Sequence, residues 1–129
     1  MVPSSDERDA VFKKFGRAFF KQDLDLMYEV VNDDFAWTVM HGDDLRCLDS
    51  REKIAAFFEE RRGTTQNVRF EDVVFHHAPD ATFMTYRITG TDTATGEDFE
   101  RVGIERYTFK HGKLAEKDVY SRAAPSQAV

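Results

Sequence analysis

Residues 49–58 read Asp-Ser-Arg-Glu-Lys-Ile-Ala-Ala-Phe-Phe. Asp49 or Ser50 can accept a hydrogen bond from an early backbone N–H, and Ile54, Phe57 and Phe58 recur at helical spacing as one apolar stripe. Gly63 stands where such a helix would end in the left-handed conformation. Upstream the period changes to two: Phe35, Trp37 and Val39 alternate with Ala36, Thr38 and Met40, the pattern of a strand with two unlike faces. His41-Gly42-Asp43-Asp44 then reads as a turn and Leu45 to Leu48 as a short return strand. Further back, Ser4 and Glu7 have capping-box spacing. Val11, Phe12, Phe15, Ala18 and Phe19 share one face of a first helix over about 5–21. Asp23 can cap a shorter second helix in which Leu24, Met27, Tyr28 and Val31 recur.

Downstream of Gly63 the chain is mostly strand, in runs of about 67–77, 81–91, 98–110 and 114–122. Pro79-Asp80, Thr95-Gly96 and His111-Gly112 mark the turns between them. Val68 and Phe70 are in one phase and Val73 and Phe75 in the other, so a β-bulge near Glu71-Asp72 is expected. The order is helix, helix, hairpin, helix, four-strand meander. That makes one α+β domain over residues 1–129, with an ordered core of about 5–122 and a frayed tail from Ala123. Three helices cannot cover both faces of the sheet, so its far face should stay partly apolar and open to a partner.

Composition narrows the function. The chain of 129 residues has 18 Lys plus Arg against 24 Asp plus Glu, a formal charge of −6. An acidic surface without a basic stripe argues against nucleic acid as a partner. Asp6, Glu7, Arg8 and Asp9 stand where a signal peptide would need an apolar run, and no stretch has membrane-spanning length. The single cysteine, Cys47, fits a reducing cytoplasm and reads as a small buried hydrophobe on the return strand. Twelve phenylalanines favour a greasy lining around a concavity.

With these elements in place, the sequence resembles the ketosteroid isomerase and SnoaL-like polyketide cyclase branch of the nuclear transport factor 2-like superfamily. Three stretches carry the likeness: Asn32-Asp33-Asp34-Phe35, the helix at 49–58, and Tyr107-Thr108-Phe109-Lys110-His111-Gly112-Lys113-Leu114 with Tyr120 beyond. Together they span about residues 10–122. The resemblance implies a cone-shaped, cystatin-like fold, with three helices packed on a curved antiparallel sheet and "DD" closing the second helix. Its members include isomerases, cyclases, dehydratases, epoxide hydrolases and proteins that only bind or assemble.

The family's known chemistries each need particular residues at particular positions. Aligned with the isomerases, Phe15 falls at the oxyanion-hole tyrosine, Val39 at the general base and Val102 at the oxyanion-hole acid. Hydrocarbon at all three positions excludes steroid isomerisation by that route. Epoxide hydrolysis in this fold needs Arg-x-Asp, where the chain has Arg87-Ile88-Thr89. Val119 rather than Asp118 aligns with the second acid. His76 and His77 are adjacent on a strand, so only one can face the interior, and His111 sits in a turn.

His41 is the best candidate for proton transfer, with Asp43 or Asp44 to orient it, and the same cluster also reads simply as a turn. A metal is not expected, since neither HExxH nor a Cys pair is present. No cofactor is called for. Arg106 shares a face with Val102 and Ile104. If that face looks inward, the guanidinium calls for an acidic or carbonyl-bearing ligand; in the other phase it is a surface residue and Glu105 points inward.

Phe15, Tyr28, Trp37, Val39, Phe57, Tyr86, Val102, Arg106 and Tyr120 are the expected lining of the cone. Two functions follow. One is a protein that binds a small hydrophobic molecule, or a cofactor-independent lyase, isomerase or cyclase-like enzyme. The other is a non-catalytic module that dimerises through its exposed sheet, a homodimer being the default.

Overall fold

The computed structural model describes residues 2–41 and 44–123. Helix α1 spans Ser5–Lys21, and Ser4 with Glu7 closes the expected capping box. The Ser4 N–H donates to Glu7 Oε1 at 2.9 Å, and the Glu7 N–H to Ser4 Oγ at 3.3 Å. Helix α2 is a single turn, Leu24–Met27, with Asp23 accepting from the Leu26 N–H at 3.1 Å. Tyr28 already caps its C-terminus, and strand β1 runs Val31–His41. The Asn32-Asp33-Asp34 stretch expected to close a helix is therefore strand. Strand β2 is Asp44–Leu48.

Helix α3 spans Arg51–Thr64, its first turn held by Ser50, whose hydroxyl accepts from the Lys53 N–H at 3.2 Å. Gly63 lies inside this helix and Thr65 caps it with an extended backbone, so the glycine terminates nothing. Strands β3 (Thr65–His77), β4 (Thr82–Asp92), β5 (Asp98–Lys110) and β6 (Lys113–Ala123) follow. His111 and Gly112 both have positive φ, as a two-residue hairpin turn matched to strand twist requires. The expected tail beyond Ala123 lies outside the described residues.

The six strands form one sheet in the order β2-β1-β6-β5-β4-β3. It is mixed, correcting the all-antiparallel expectation: β1 runs parallel to β6, with Trp37 opposite Lys117 and Thr38 opposite Asp118. Turn residues record direction only for strands joined by short loops, and β1 and β6 are far apart in the chain. The side-chain amide of Asn32 fixes the junction by donating to the carbonyls of Lys110 at 3.0 Å and Leu114 at 3.1 Å. Two of the three motifs that carry the family likeness thus touch.

The β3 register shifts between Glu71 and Val74, where Asp72 has φ 55°. This is the expected bulge. It lets Phe70, opposite Ile88, and Phe75, opposite Met84, share one face of the sheet although they are five residues apart. That face is the one the helices cover. Phe12 of α1 stacks on Phe75 at 4.8 Å and meets Tyr107 edge-on at 4.8 Å. Phe35, Met27, Ile54 and Leu114 are fully enclosed, each such side chain stabilising the fold by roughly 1.5–3 kcal/mol.

Arg8 ties the start of α1 to the β3–β4 turn. Its guanidinium donates to the carbonyls of Ala78 at 2.7 Å, Ala81 at 3.2 Å and Pro79 at 3.3 Å, and to the Thr82 hydroxyl at 3.2 Å. Among the described residues no helix covers the opposite face of the sheet. There Val74, Ile104 and Tyr120 are exposed. Cys47 is exposed too, not the buried hydrophobe expected. No helix among the described residues is long and apolar enough to cross a membrane.

Candidate functional site

Alternation along β5 decides what enters the interior. Glu105 and Tyr107 are buried, whereas Ile104 is exposed. Arg106 pairs with Asp118 at 3.7 Å on the uncovered face. The inward phase considered for Val102, Ile104 and Arg106 is therefore corrected. Apolar Val102 and Ile104 suggest an inward face, but Glu105 and Tyr107, one residue out of phase with them, are the side chains that face the interior.

Between α1, α3 and the sheet lies a cavity of about 860 Å³, within the size range of small-molecule sites. Phe19 and Phe20 line it from α1, and Phe57, Phe58 and Arg61 from α3. Trp37, Val39, Val68, Phe70, Tyr86 and Ile88 supply strand walls, while Phe99, Arg101, Glu105, Lys117 and Val119 come from β5 and β6. The aromatic wall is continuous. Trp37 meets Phe57 at 5.1 Å and Phe19 at 5.7 Å, and Phe70 leans on Tyr86 at 5.2 Å.

Of the expected lining residues, Trp37, Val39, Phe57 and Tyr86 come together here. Phe15 lies in the packed core, 5.3 Å from the Lys117 ammonium. Tyr28 packs elsewhere, with the Arg51 guanidinium 5.4 Å from its ring. Val102, Arg106 and Tyr120 belong to the uncovered face.

At the cavity's edge sits a polar cluster that sequence reading did not single out. The Lys117 ammonium lies 3.6 Å from Glu105 Oε1, and the two side chains are only 3% and 4% exposed. The Tyr107 hydroxyl donates to the same carboxylate oxygen. The parallel β1–β6 pairing sets Trp37 beside Lys117, whose ammonium is 4.1 Å from the Trp37 ring and 4.5 Å from that of Phe19. Burial pushes Lys117 below the ordinary lysine value, and the Glu105 charge partly restores it. Burial raises Tyr107 well above the ordinary phenol value, with Glu105 adding to the rise. Tyr86 moves the same way for the same reasons. Its hydroxyl occupies space that only Gly103 leaves open: a Cβ there would stand 2.5 Å from the Tyr86 oxygen.

This cluster can hold and move a proton. Glu105 offers an acceptor, Lys117 a cation to stabilise an anionic product, and the two phenols remain donors. The signal in the sequence was the Glu105–Tyr107 spacing of two, which sets both on one strand face.

His41 ends β1 in register with Asp44, which opens β2. Their side chains, and Asp43 altogether, lie outside the described residues. His77 bridges Asp9 and the Thr82 hydroxyl, both at 2.9 Å, near the Arg8 junction. Arg87 is held on the uncovered face by Glu71 at 2.7 Å and Glu100 at 3.2 Å, away from the cavity. Among the described residues no group of three or more His, Cys, Asp or Glu could hold a metal ion.

A mixed six-stranded sheet with helices on one face, enclosing an aromatic cavity, defines a nuclear transport factor 2-like α+β protein. Its fold matches a protein of that description from Burkholderia xenovorans with a TM-score of 0.81, at 16% identity over 92% of each chain. It also matches a candidate polyketide cyclase from Xanthomonas campestris (0.73, 16%, 89% of this chain and 90% of that one). Similarity extends to a candidate isomerase from Bacillus subtilis (0.73, 11%, 91% and 87%). The SnoaL-like domain model matches residues 12–117, and the chain belongs to that family. No protein of curated function matches the sequence.

Proposed function

We propose that this protein binds a small hydrophobic molecule in the α1–α3–sheet cavity and acts on it as a cofactor-independent enzyme of the lyase, isomerase or cyclase kind. One observation carries the reading: an aromatic cavity of about 860 Å³ whose wall includes the buried Lys117–Glu105 pair, with the Tyr107 hydroxyl donating to Glu105. Apolar walls hold the ligand by burial, and the few polar groups orient it and exchange protons with it. The cyclase and isomerase descriptions of structural relatives are consistent with such chemistry.

The sole tryptophan, Trp37, lies in the wall and reports occupancy directly. Titration with the neutral probe N-phenyl-1-naphthylamine should quench Trp37 emission through energy transfer, and Val39→Phe should block it. Unchanged emission on saturation would refute the cavity reading. For the proton-transfer part, 2-acetylnaphthalene in deuterium oxide should gain methyl deuterium faster with protein than with buffer, and Glu105→Gln should remove the gain. No gain over buffer leaves a binding protein rather than an enzyme.

The uncovered face, with Val74, Ile104 and Tyr120 exposed, favours a second reading beside the first. We propose that two copies pack there as a homodimer; a monomer by sedimentation at micromolar concentration would exclude it.

A further inference from the structure

We propose that Arg61 and Arg101 form an anion slot in the cavity wall, so that the ligand is an aromatic or polycyclic carboxylic acid rather than a neutral hydrocarbon or alcohol. The inference rests on the cavity reading and adds the ligand's charge to it. Arg61 leaves the last turn of α3 and lines the cavity, its guanidinium carbon 5.9 Å from the Phe57 ring centroid. Among the described residues no carboxylate lies within 4 Å of either guanidinium, and Arg101 meets only the Ser121 hydroxyl, at 3.3 Å. The remaining cations of the lining have partners: Lys117 has Glu105, and Arg62 donates to the Gln22 side chain.

Of the acidic residues in the lining, Glu60, Asp92 and Asp98 have other hydrogen-bond or ion-pair partners. Glu60 pairs with Arg46 at 3.0 Å. Asp98 accepts from the Thr91 hydroxyl at 2.9 Å, and Asp92 from the Ala94 N–H at 2.8 Å. Half-buried Arg61 and exposed Arg101 thus line one cavity without an ion pair of their own among the described residues, the Glu60 charge bearing on Arg61 as well. Arg61 is held below the ordinary arginine value first by burial and then by the Arg101 charge, so the two cations act on one another. Both charges also bear on the Tyr86 phenol. Desolvating a cation is costly without a partner, and a planar carboxylate matches the guanidinium fork. A ring system bound against Trp37, Phe57 and Phe70 would carry its acid group to that fork.

The test compares 2-naphthoate with 2-naphthamide, matched in shape and differing in charge, by displacement of N-phenyl-1-naphthylamine from the full chain. The acid should bind at least about tenfold tighter than the amide, the discrimination of one good charge-assisted contact. Arg61→Gln should bring that ratio close to one by weakening the acid more than the amide. Arg61→Lys, which keeps the charge and loses the fork, should retain part of it. Equal binding of acid and amide, or a ratio that survives in both Arg61→Gln and Arg101→Gln, overturns the anion slot and leaves the cavity reading standing. Failure of both naphthalene compounds to displace the probe overturns the slot together with the cavity reading.

Discussion

Two ion pairs occupy the same β5–β6 ladder, one residue out of phase and on opposite faces of the sheet. Lys117 and Glu105 are 3.6 Å apart, and Arg106 and Asp118 are 3.7 Å apart. The inner pair is 3% and 4% exposed, the outer pair 40% and 23%. The separations differ by only 0.1 Å, so surroundings decide what each pair does. In the outer pair water screens the attraction, and such bridges contribute about 0–1 kcal/mol. In the inner pair both charges lose hydration, and the fold tolerates this because each charge neutralises the other while aromatic rings and a phenol surround them.

The contrast can be broken most sharply by removing one inner charge. Lys117→Met should cost roughly 3–5 kcal/mol in urea unfolding, because Glu105 is then buried and uncompensated. The double variant Lys117→Met with Glu105→Gln should recover most of that loss. A cost below 1 kcal/mol for the single variant would show that water reaches the pair.

Gly103→Ala should come next, at about 1–3 kcal/mol. Its methyl would collide with the Tyr86 hydroxyl and stand 3.0 Å from the Tyr120 carbonyl oxygen. Trp37 emission should change too, since Tyr86 shares the cavity wall. Ile104→Ala on the uncovered face should be milder, since that side chain is already 45% exposed.

Alkaline pH sharpens the same comparison. The folded pKa values of Tyr86 and Tyr107 are raised. Their contribution to stability is therefore fully present below the unfolded phenol value of about 10 and is lost as pH climbs toward the folded values. Lys117 runs in the opposite sense: its folded value is lowered, so its contribution improves as pH rises toward the unfolded value of about 10.4. Above pH 10 the two phenols should dominate the slope, and stability should fall. Phenolate absorbance should show both tyrosines silent until the chain unfolds; their titration in the folded protein would contradict the burial. The smallest effect belongs to the outer pair: Arg106→Ala should cost less than about 1 kcal/mol and vanish in high salt.

Local chemistry made much of the fold legible. The Ser4–Glu7 box, the Asp23 and Ser50 caps, the bulge at Asp72 and the His111-Gly112 turn are short-range features, and each is where its residues pointed. The direction of β6 beside β1 was not legible, because no turn joins them. Nor was the phase of β5. Val102 and Ile104 make the outer face look like an inner one, and Glu105 looks like a surface residue until Lys117 is set near it from the next strand. Arg61 was hidden for a related reason: on α3 it reads as a solvated helix-end charge, and only tertiary packing turns it toward a cavity. Trp37, Val39, Phe57 and Tyr86 were found because aromatic and aliphatic residues at regular periods mark faces whether or not the face is filled.

Arg8 joins the first turn of α1 to the tip of a hairpin some seventy residues away through four hydrogen bonds from one side-chain nitrogen pair. A hairpin tip ordinarily opens on its own, well before the body of a protein. Here it cannot lift without also loosening the start of the first helix. Amide hydrogens of that tip should accordingly exchange in step with those of the helix, making the two ends of the fold one cooperative unit.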